Sequence, residues 1–181
     1  MKKFKILSRE KVLDSQWCPI EKQIVELPNG KETEWFVHMN ADAVIVVPIL
    51  KNGNILLQKN YKHGCGECIT EFCAGMIDKG ESPEKCAHRE FLEETGFQTK
   101  KLVKIGEVFA NPTGSIMKYH FFLGFDCEKI ANPQQEESEQ IEVFEVENLK
   151  AAHELLTNSN TKTSSATLTA LLLAQKRVDN L

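Results

Sequence analysis

The sequence has no hydrophobic run long enough to span a membrane. Its longest apolar stretch, Ala43–Leu50, has eight residues and contains a proline, whereas a transmembrane helix needs about 20 apolar residues. The basic first residues are not followed by the apolar segment of about 7–15 residues that a signal peptide requires. We therefore expect a cytoplasmic protein that has no membrane partner.

An excess of basic residues is also missing. The 181 residues include 22 Lys and Arg against 26 Asp and Glu, a net charge of −4, which disfavours nucleic acid as a partner. In a cytoplasmic protein, the six cysteines are more typical of free thiols than of a disulfide framework. Cys65 and Cys68 have the spacing of zinc ligands, but we expect Cys73 on a strand and Cys86 on a helix, which disfavours zinc.

The hydrophobic pattern predicts an α/β fold. A helix is expected over residues 82–95, because Ser82 is a favourable N-cap and Gly96 a favourable C-terminal stop. The motif Pro28-Asn29-Gly30 predicts a hairpin turn. Strands are expected at 11–13, 24–27, 34–38, 43–50, 55–57, 103–109, 119–125 and 141–146, and a C-terminal helix or pair of helices follows. Strands on both sides of one helix indicate a layered domain.

Three glutamates share one face of the predicted helix. Glu90, Glu93 and Glu94 follow the i, i+3, i+4 spacing, so their carboxylates repel one another unless a cation lies between them. Hard oxygen ligands of this kind suit Mg²⁺ or Mn²⁺. The alternative is a solvated acidic face with no ligand.

The same segment carries a complete motif. Residues 75–97 match the Nudix box, Gly-x5-Glu-x7-Arg-Glu-U-x-Glu-Glu-x-Gly-U, at every fixed position. The resemblance to Nudix hydrolases implies an α/β/α sandwich with a mixed sheet and metal-dependent hydrolysis of a nucleoside diphosphate linked to another moiety. It implies Mg²⁺, with Mn²⁺ as a substitute, and assigns the site residues as follows: metal ligands Glu90, Glu93, Glu94 and the carbonyl of Ala74; Arg89 in the catalytic group, orienting a carboxylate; Gly75, Glu81 and Gly96 as structural residues.

Outside the box, the chain resembles the ADP-ribose and ADP-sugar pyrophosphatases. The similarity lies in Leu57–Lys62, in Glu71–Gly75, in Pro112 and in the N-terminal forty residues. It implies that residues 1–40 form a β-hairpin subdomain exchanged within a homodimer, and that residues 41–181 form the Nudix domain. It also implies three substrate-binding residues: Trp17 and Trp35, which would stack on the base, and Lys62, which would contact phosphate. Packing in the hairpin or the dimer interface is the alternative for the tryptophans.

The resemblance places the catalytic base in a loop outside the box. Here the acidic segment 136–139 precedes the last expected strand, and Glu137 and Glu139 are both candidates. An acidic, merely solvated loop is the alternative.

The expected substrate is a nucleoside diphosphate sugar. ADP-ribose, cleaved to AMP and ribose 5-phosphate, fits the resemblance best. Lys62, Cys73 and Thr113 depart from the pattern of that branch, so GDP-mannose or another nucleoside diphosphate sugar is the alternative. A non-catalytic Nudix ligand sensor is less favoured, because every box carboxylate is retained and no length remains for a DNA-binding module. A triphosphate hydrolase is disfavoured by the N-terminal hairpin.

Overall fold

The computed structural model describes residues 2–135 and 140–180. These residues form two compact units. The first contains the chain up to Asp42 together with Val108–Lys118, and the second contains Ala43–Glu107 and the chain from Tyr119 onward. The first unit thus includes a segment far along the chain, in addition to the N-terminal residues that the sequence assigned to a subdomain.

The first unit contains a three-stranded antiparallel sheet. Its strands in spatial order are β1 (Lys5–Leu13), β2 (Ile20–Glu26) and β3 (Glu32–His38). The predicted hairpin is present between β2 and β3, where Gly30 adopts a φ of 82° and its amide donates to the carbonyl of Leu27 at 2.9 Å. Strand β1 lies at one edge of this sheet and is exposed along its whole length.

The second unit contains most of a larger mixed sheet. Its strands are β4 (Ala43–Leu50), β5 (Ile55–Lys62), β6 (Glu67–Glu71), β7 (Cys73–Met76), β8 (Phe97–Gln98), β9 (Lys101–Phe109), β10 (Lys118–Lys129) and β11 (Ile141–Val146). In the described residues the order is β11-β5-β4-β10-β8, while β6, β7 and β9 pair with β5, β4 and β10 respectively. Strands β4 and β10 are parallel, whereas β5 and β7 run antiparallel to β4.

Helices cover both faces of this sheet. They are α1 (Pro83–Thr95), α2 (Leu149–Leu156) and α3 (Ser165–Val178). Strand β4 is buried on both sides, as a central strand of a layered fold must be. Val44 and Val46 share a core with α1, whereas Ile45 and Val47 share a second core with α2 and α3. The predicted α/β/α sandwich is confirmed. No helix in the described ranges is both long and apolar enough to cross a membrane.

The sequence pattern did not predict all the strands. It predicted β4 and β11 with their observed bounds, but not β6 or β8, and it indicated β7 only through Cys73. Strand β8 has two residues and β7 has four, one of which is a glycine. Such short segments have no measurable alternation, so their pairing is decided by the long strands beside them.

The end of α1 generates a stability prediction. Gly96 has a φ of 75°, and a Cβ there would lie 2.2 Å from the carbonyl oxygen of Ala131. Gly53 has a similar φ of 87° but open space around it. We expect Gly53→Ala to lower the free energy of unfolding by about 1–2 kcal/mol, the cost of a left-handed conformation. Gly96→Ala should lose a further ~1–3 kcal/mol from overlap.

Denaturant unfolding of both variants, followed by circular dichroism, measures this difference. Equal losses for the two alanines would show that the backbone at Ala131 yields without cost.

Candidate active site

Helix α1 is fixed in place by its ends and by its apolar face. The hydroxyl of Ser82 accepts a hydrogen bond from the amide of Lys85 at 3.3 Å, and the amide of Gly96 donates to the last turn. Ala87 and Phe91 are fully buried against the sheet. Because both the termini and the buried face are constrained, the acidic face has a single orientation.

Glycine at position 75 makes room for Glu90. A Cβ on Gly75 would lie 1.9 Å from the carboxyl carbon of Glu90, so no larger residue fits while Glu90 keeps this conformation. Strand β7 therefore forms a cradle for this carboxylate. The three helix glutamates differ in exposure. The side chains of Glu90 and Glu93 are 15% and 45% exposed, whereas Glu94 is buried.

Arg89 binds several carboxylates at once. Its Nε and Nη2 donate to the two oxygens of Glu81 at 3.1 and 2.9 Å. Its Nη1 donates to Glu90 at 2.8 Å and to Glu93 at 3.1 Å. The hydrogen bonds from Arg89 lower the pKa of Glu81, and those with Glu81 raise the pKa of Arg89. Arg89 therefore stays charged, which supports an orienting role rather than proton transfer.

Glu94 is held from the interior of the protein. It accepts hydrogen bonds from Nε2 of Gln58 at 3.2 Å and from the amide of Ala74 at 3.3 Å. Burial raises the pKa of the Cys73 thiol well above its ordinary value, and the charge of Glu94 raises it further. A thiol that stays protonated is a donor here rather than a second anion.

The donor set fits a divalent metal ion. Within residues 2–135 and 140–180, no three His, Cys, Asp or Glu side chains are already grouped around one point, because Arg89 binds Glu90 and Glu93 while Glu94 turns inward. Even so, three carboxylates lie on one helix, and Gly75 on the neighbouring strand leaves space for that of Glu90. Carboxylate oxygens are the donors that hard divalent ions prefer. The fold and this donor set define an α/β protein with an acidic candidate site on α1.

Lys62 lies beside a buried carboxylate. Its Nζ is 2.8 Å from Oε1 of Glu71, and Nδ2 of Asn60 donates to the same oxygen at 3.2 Å. The side chain of Lys62 is 40% exposed, whereas that of Glu71 is 7% exposed. The ammonium of Lys62 is therefore ion-paired on a side chain that is partly exposed, and its phosphate contact stays a prediction.

The two tryptophans have different surroundings in the first unit. The indole Nε1 of Trp35 donates to the carbonyl of Thr113 at 2.8 Å, and its ring meets Phe4 edge-on at 6.1 Å. Trp35 also lines a cavity of about 380 Å³ together with Pro112. Trp17 is 66% exposed.

Both candidate bases, Glu137 and Glu139, lie outside the described residues, but the residues before and after them are described. The amide of Gln134 donates to the carbonyl of Glu93 at 2.8 Å. Nε2 of Gln135 donates to the carbonyl of Ile141 at 2.9 Å, and the amide of Ile141 donates back to Oε1 of Gln135 at 3.3 Å. The residues just before the acidic segment therefore contact both α1 and β11.

Gln58 is a site residue that sequence reasoning missed. The signal was a polar residue directly after the buried run Ile55-Leu56-Leu57. Such a residue needs a polar partner inside the protein, but its identity depends on the fold.

Comparisons with known proteins identify the family. The model described as NUDIX domain matches residues 39–165. The chain is 32% identical to the ADP-ribose pyrophosphatase of Bacillus subtilis (strain 168) over 143 residues, which is 78% of this chain and 77% of that protein. It is 30% identical to the GDP-mannose pyrophosphatase of Yersinia enterocolitica over 151 residues, or 76% and 78% of the two chains.

A solved structure shows the same fold. The crystal structure of ADP compounds hydrolase aligns with a TM-score of 0.86, covering 99% of this chain and 96% of that chain at 24% identity. Since the family model covers most of the chain, the protein belongs to the Nudix family. The prediction of a Nudix hydrolase is confirmed, whereas the individual roles of the site residues stay predictions.

The cradle at Gly75 generates a second prediction. In Gly75→Ala the new methyl group displaces the flexible end of Glu90 rather than any backbone, so the fold should persist while the carboxylate moves. A misplacement of about 1 Å can cost about 100-fold in rate. We expect kcat to fall by at least that factor with little change in melting temperature.

Gly64→Ala is the matched control, because a Cβ at position 64 meets open space. Steady-state hydrolysis and thermal melting are measured on both variants. Full activity of Gly75→Ala would mean that Glu90 need not occupy its observed position.

Proposed function

We propose that this protein is a divalent-metal-dependent pyrophosphatase of nucleoside diphosphate sugars. Its preferred substrate is ADP-ribose, which it cleaves to AMP and ribose 5-phosphate. The observation that carries this proposal is the group of α1 carboxylates at the Gly75 cradle, oriented by Arg89. The relative named ADP-ribose pyrophosphatase, similar over most of its length, supports the choice of substrate.

In this proposal the three helix glutamates and the carbonyl of Ala74 hold Mg²⁺, which Mn²⁺ can replace. When bound, the ion neutralises charge on the pyrophosphate oxygens and assists attack by water. Arg89 keeps two of the carboxylates in position through its hydrogen bonds to Glu90 and Glu93. Glu137 or Glu139 accepts a proton from the attacking water.

Recognition of the nucleotide falls to residues outside α1. Lys62, whose side chain is partly exposed, contacts a phosphate as a point charge without the fork geometry of arginine. Trp17 and Trp35 stack on the base. The exposed indole of Trp17 supports this role most directly, because its faces are accessible.

We further propose that the protein is a cytoplasmic homodimer. The edge strand β1 exposes Ile6 and Leu13, which are 41% and 46% exposed, and apolar side chains on an exposed edge favour association with a second copy. All six cysteines are free thiols, which agrees with a reducing compartment. The net charge of −4 gives no support for nucleic acid as a partner.

GDP-mannose is the second candidate substrate. A relative named GDP-mannose pyrophosphatase is similar over an equally large part of the chain. Lys62, Cys73 and Thr113 differ from the ADP-ribose branch without altering the box. The reaction would be the same, with a different base and sugar bound.

A substrate panel tests this function. We expect Mg²⁺-dependent release of phosphate, after coupling to a phosphatase, from ADP-ribose in preference to GDP-mannose, UDP-glucose, diadenosine polyphosphates and nucleoside triphosphates. EDTA should abolish the reaction. In Glu94→Gln, loss of one anionic metal ligand should lower kcat/KM by at least about 100-fold.

Glu84→Gln provides the control for this loss. Glu84 is exposed in the first turn of the same helix, so its replacement should leave turnover unchanged. A Glu94→Gln protein as active as wild type would contradict the metal assignment, and preference for GDP-mannose would select the second candidate.

The exposed tryptophan generates a further prediction. Trp17→Ala should raise KM for the preferred substrate by about 5- to 160-fold, because stacking on one base is worth about 1–3 kcal/mol. The value of kcat should change little, since stacking is uniform binding. Trp17→Phe should restore most of the affinity.

A fall in kcat with unchanged KM would argue instead for a structural role of Trp17. Gel filtration of both variants then shows whether the oligomeric state has changed.

A further inference from the structure

Gln58 is a buried amide that contacts a box carboxylate through its nitrogen, while its oxygen has no partner among the described residues. It lies on β5 with 1% exposure, and its Nε2 donates to Oε2 of Glu94 at 3.2 Å. Its Oε1 is fully buried and has no hydrogen-bond partner among the described residues. An acceptor of this kind is expensive to bury and calls for an explanation.

The orientation of the amide follows from Glu94. Turning the amide over would place two oxygen acceptors, Oε1 of Gln58 and Oε2 of Glu94, against each other. The donor is therefore directed at the carboxylate, and Oε1 is the unpaired atom on the same amide carbon. The unused acceptor thus lies next to a residue that the proposed function makes a metal ligand.

The neighbouring pair on the same strand shows a different arrangement. Asn60 is also buried and also donates to a glutamate, at 3.2 Å to Oε1 of Glu71. That oxygen also contacts the ammonium of Lys62 at 2.8 Å, and no atom of Asn60 is among the unsatisfied buried atoms of the described residues. The unused acceptor is thus particular to the amide that contacts α1.

We propose that Gln58 is a positioning residue of the metal centre. Its Nε2 fixes the Glu94 carboxylate, and its Oε1 accepts a hydrogen bond from the hydration shell of the bound divalent ion. This inference rests on the proposed function, since it assumes that Glu94 binds metal. It explains why a buried amide directly follows three buried apolar residues on β5.

Two physical effects follow from this placement. Outer-shell partners orient the ligating carboxylate, and their removal typically weakens metal binding by about 10- to 100-fold. In the metal-free protein the lost hydrogen bond to Glu94 is partly offset by the removal of an unpaired acceptor, and the amide of Ala74 still donates to that carboxylate. Metal affinity and metal-free stability should therefore respond differently.

The test measures Mn²⁺ binding to the full-length, EDTA-treated chain by electron paramagnetic resonance, without substrate. Gln58→Met keeps the length of the side chain and removes both polar atoms. We expect its Kd for Mn²⁺ to rise by about 10- to 100-fold, with a metal-free melting temperature close to that of wild type. Asn60→Leu, the matched control two residues along β5, should bind Mn²⁺ like wild type.

A second variant should lower the stability of the metal-free protein and increase its stabilisation by metal. Gln58→Glu places another carboxylate beside Glu94, so the metal-free melting temperature should fall through repulsion of like charges. Added Mn²⁺ should raise that temperature by more than it does in wild type, since the new carboxylate is itself an oxygen donor.

Several results would overturn the inference. Gln58→Met that binds Mn²⁺ like wild type would show that the amide does not support the centre, while leaving the proposed function intact. Equal weakening by Gln58→Met and Asn60→Leu would assign the effect to β5 packing. If wild type and Glu94→Gln bind Mn²⁺ equally weakly, the metal assignment itself fails, and the inference fails with it.

Discussion

The concentration of negative charge on one face of α1 is the constraint on which the site depends. Glu90 and Glu93 lie within one turn of each other, and Glu81 precedes the helix, so the three carboxylates would destabilise the fold if left unpaired. The guanidinium of Arg89 contacts all three at 3.1 Å or less. Because arginine remains charged at any physiological pH, this pairing offsets the repulsion between the carboxylates and allows the helix to fold without a metal ion.

The layered packing turns that local arrangement into a site. Phe91 and Ala87 are buried against the face of β4 that carries Val44 and Val46, and this fixes the rotation of α1 about its axis. Strand β7 pairs with β4 in a register that brings Gly75 opposite Val44. One central strand therefore positions both the helix that carries the carboxylates and the strand that makes room for them, so the acidic face has little freedom to adjust to a misplaced neighbour.

Much of the fold and of the candidate site could be predicted from local sequence, whereas the rest depended on contacts between residues far apart in the chain. The spacing of the box and the caps at Ser82 and Gly96 predicted α1 and its acidic face, because helix periodicity and capping are local properties. The contact between Gln58 and Glu94 joins residues 36 positions apart. The bond between Trp35 and Thr113 joins residues 78 apart, which is why the sequence did not assign Val108–Lys118 to the first unit. A polar residue in an apolar strand signals that a partner exists, but only the sheet register decides which one.

The polar side chains of β5 connect these observations to substrate choice. Gln58 and Asn60 each donate to a buried glutamate, Glu94 and Glu71 respectively, and the second of these also holds Lys62. An ammonium anchored in this way loses less conformational freedom when it meets a phosphate than a free lysine would. It also approaches with part of its charge already balanced by Glu71, which weakens its attraction for an anion. If Lys62 contacts a phosphate as proposed, the strand favours a precise contact over a strong one, and such a contact distinguishes substrates by the position of their phosphates rather than by their total charge.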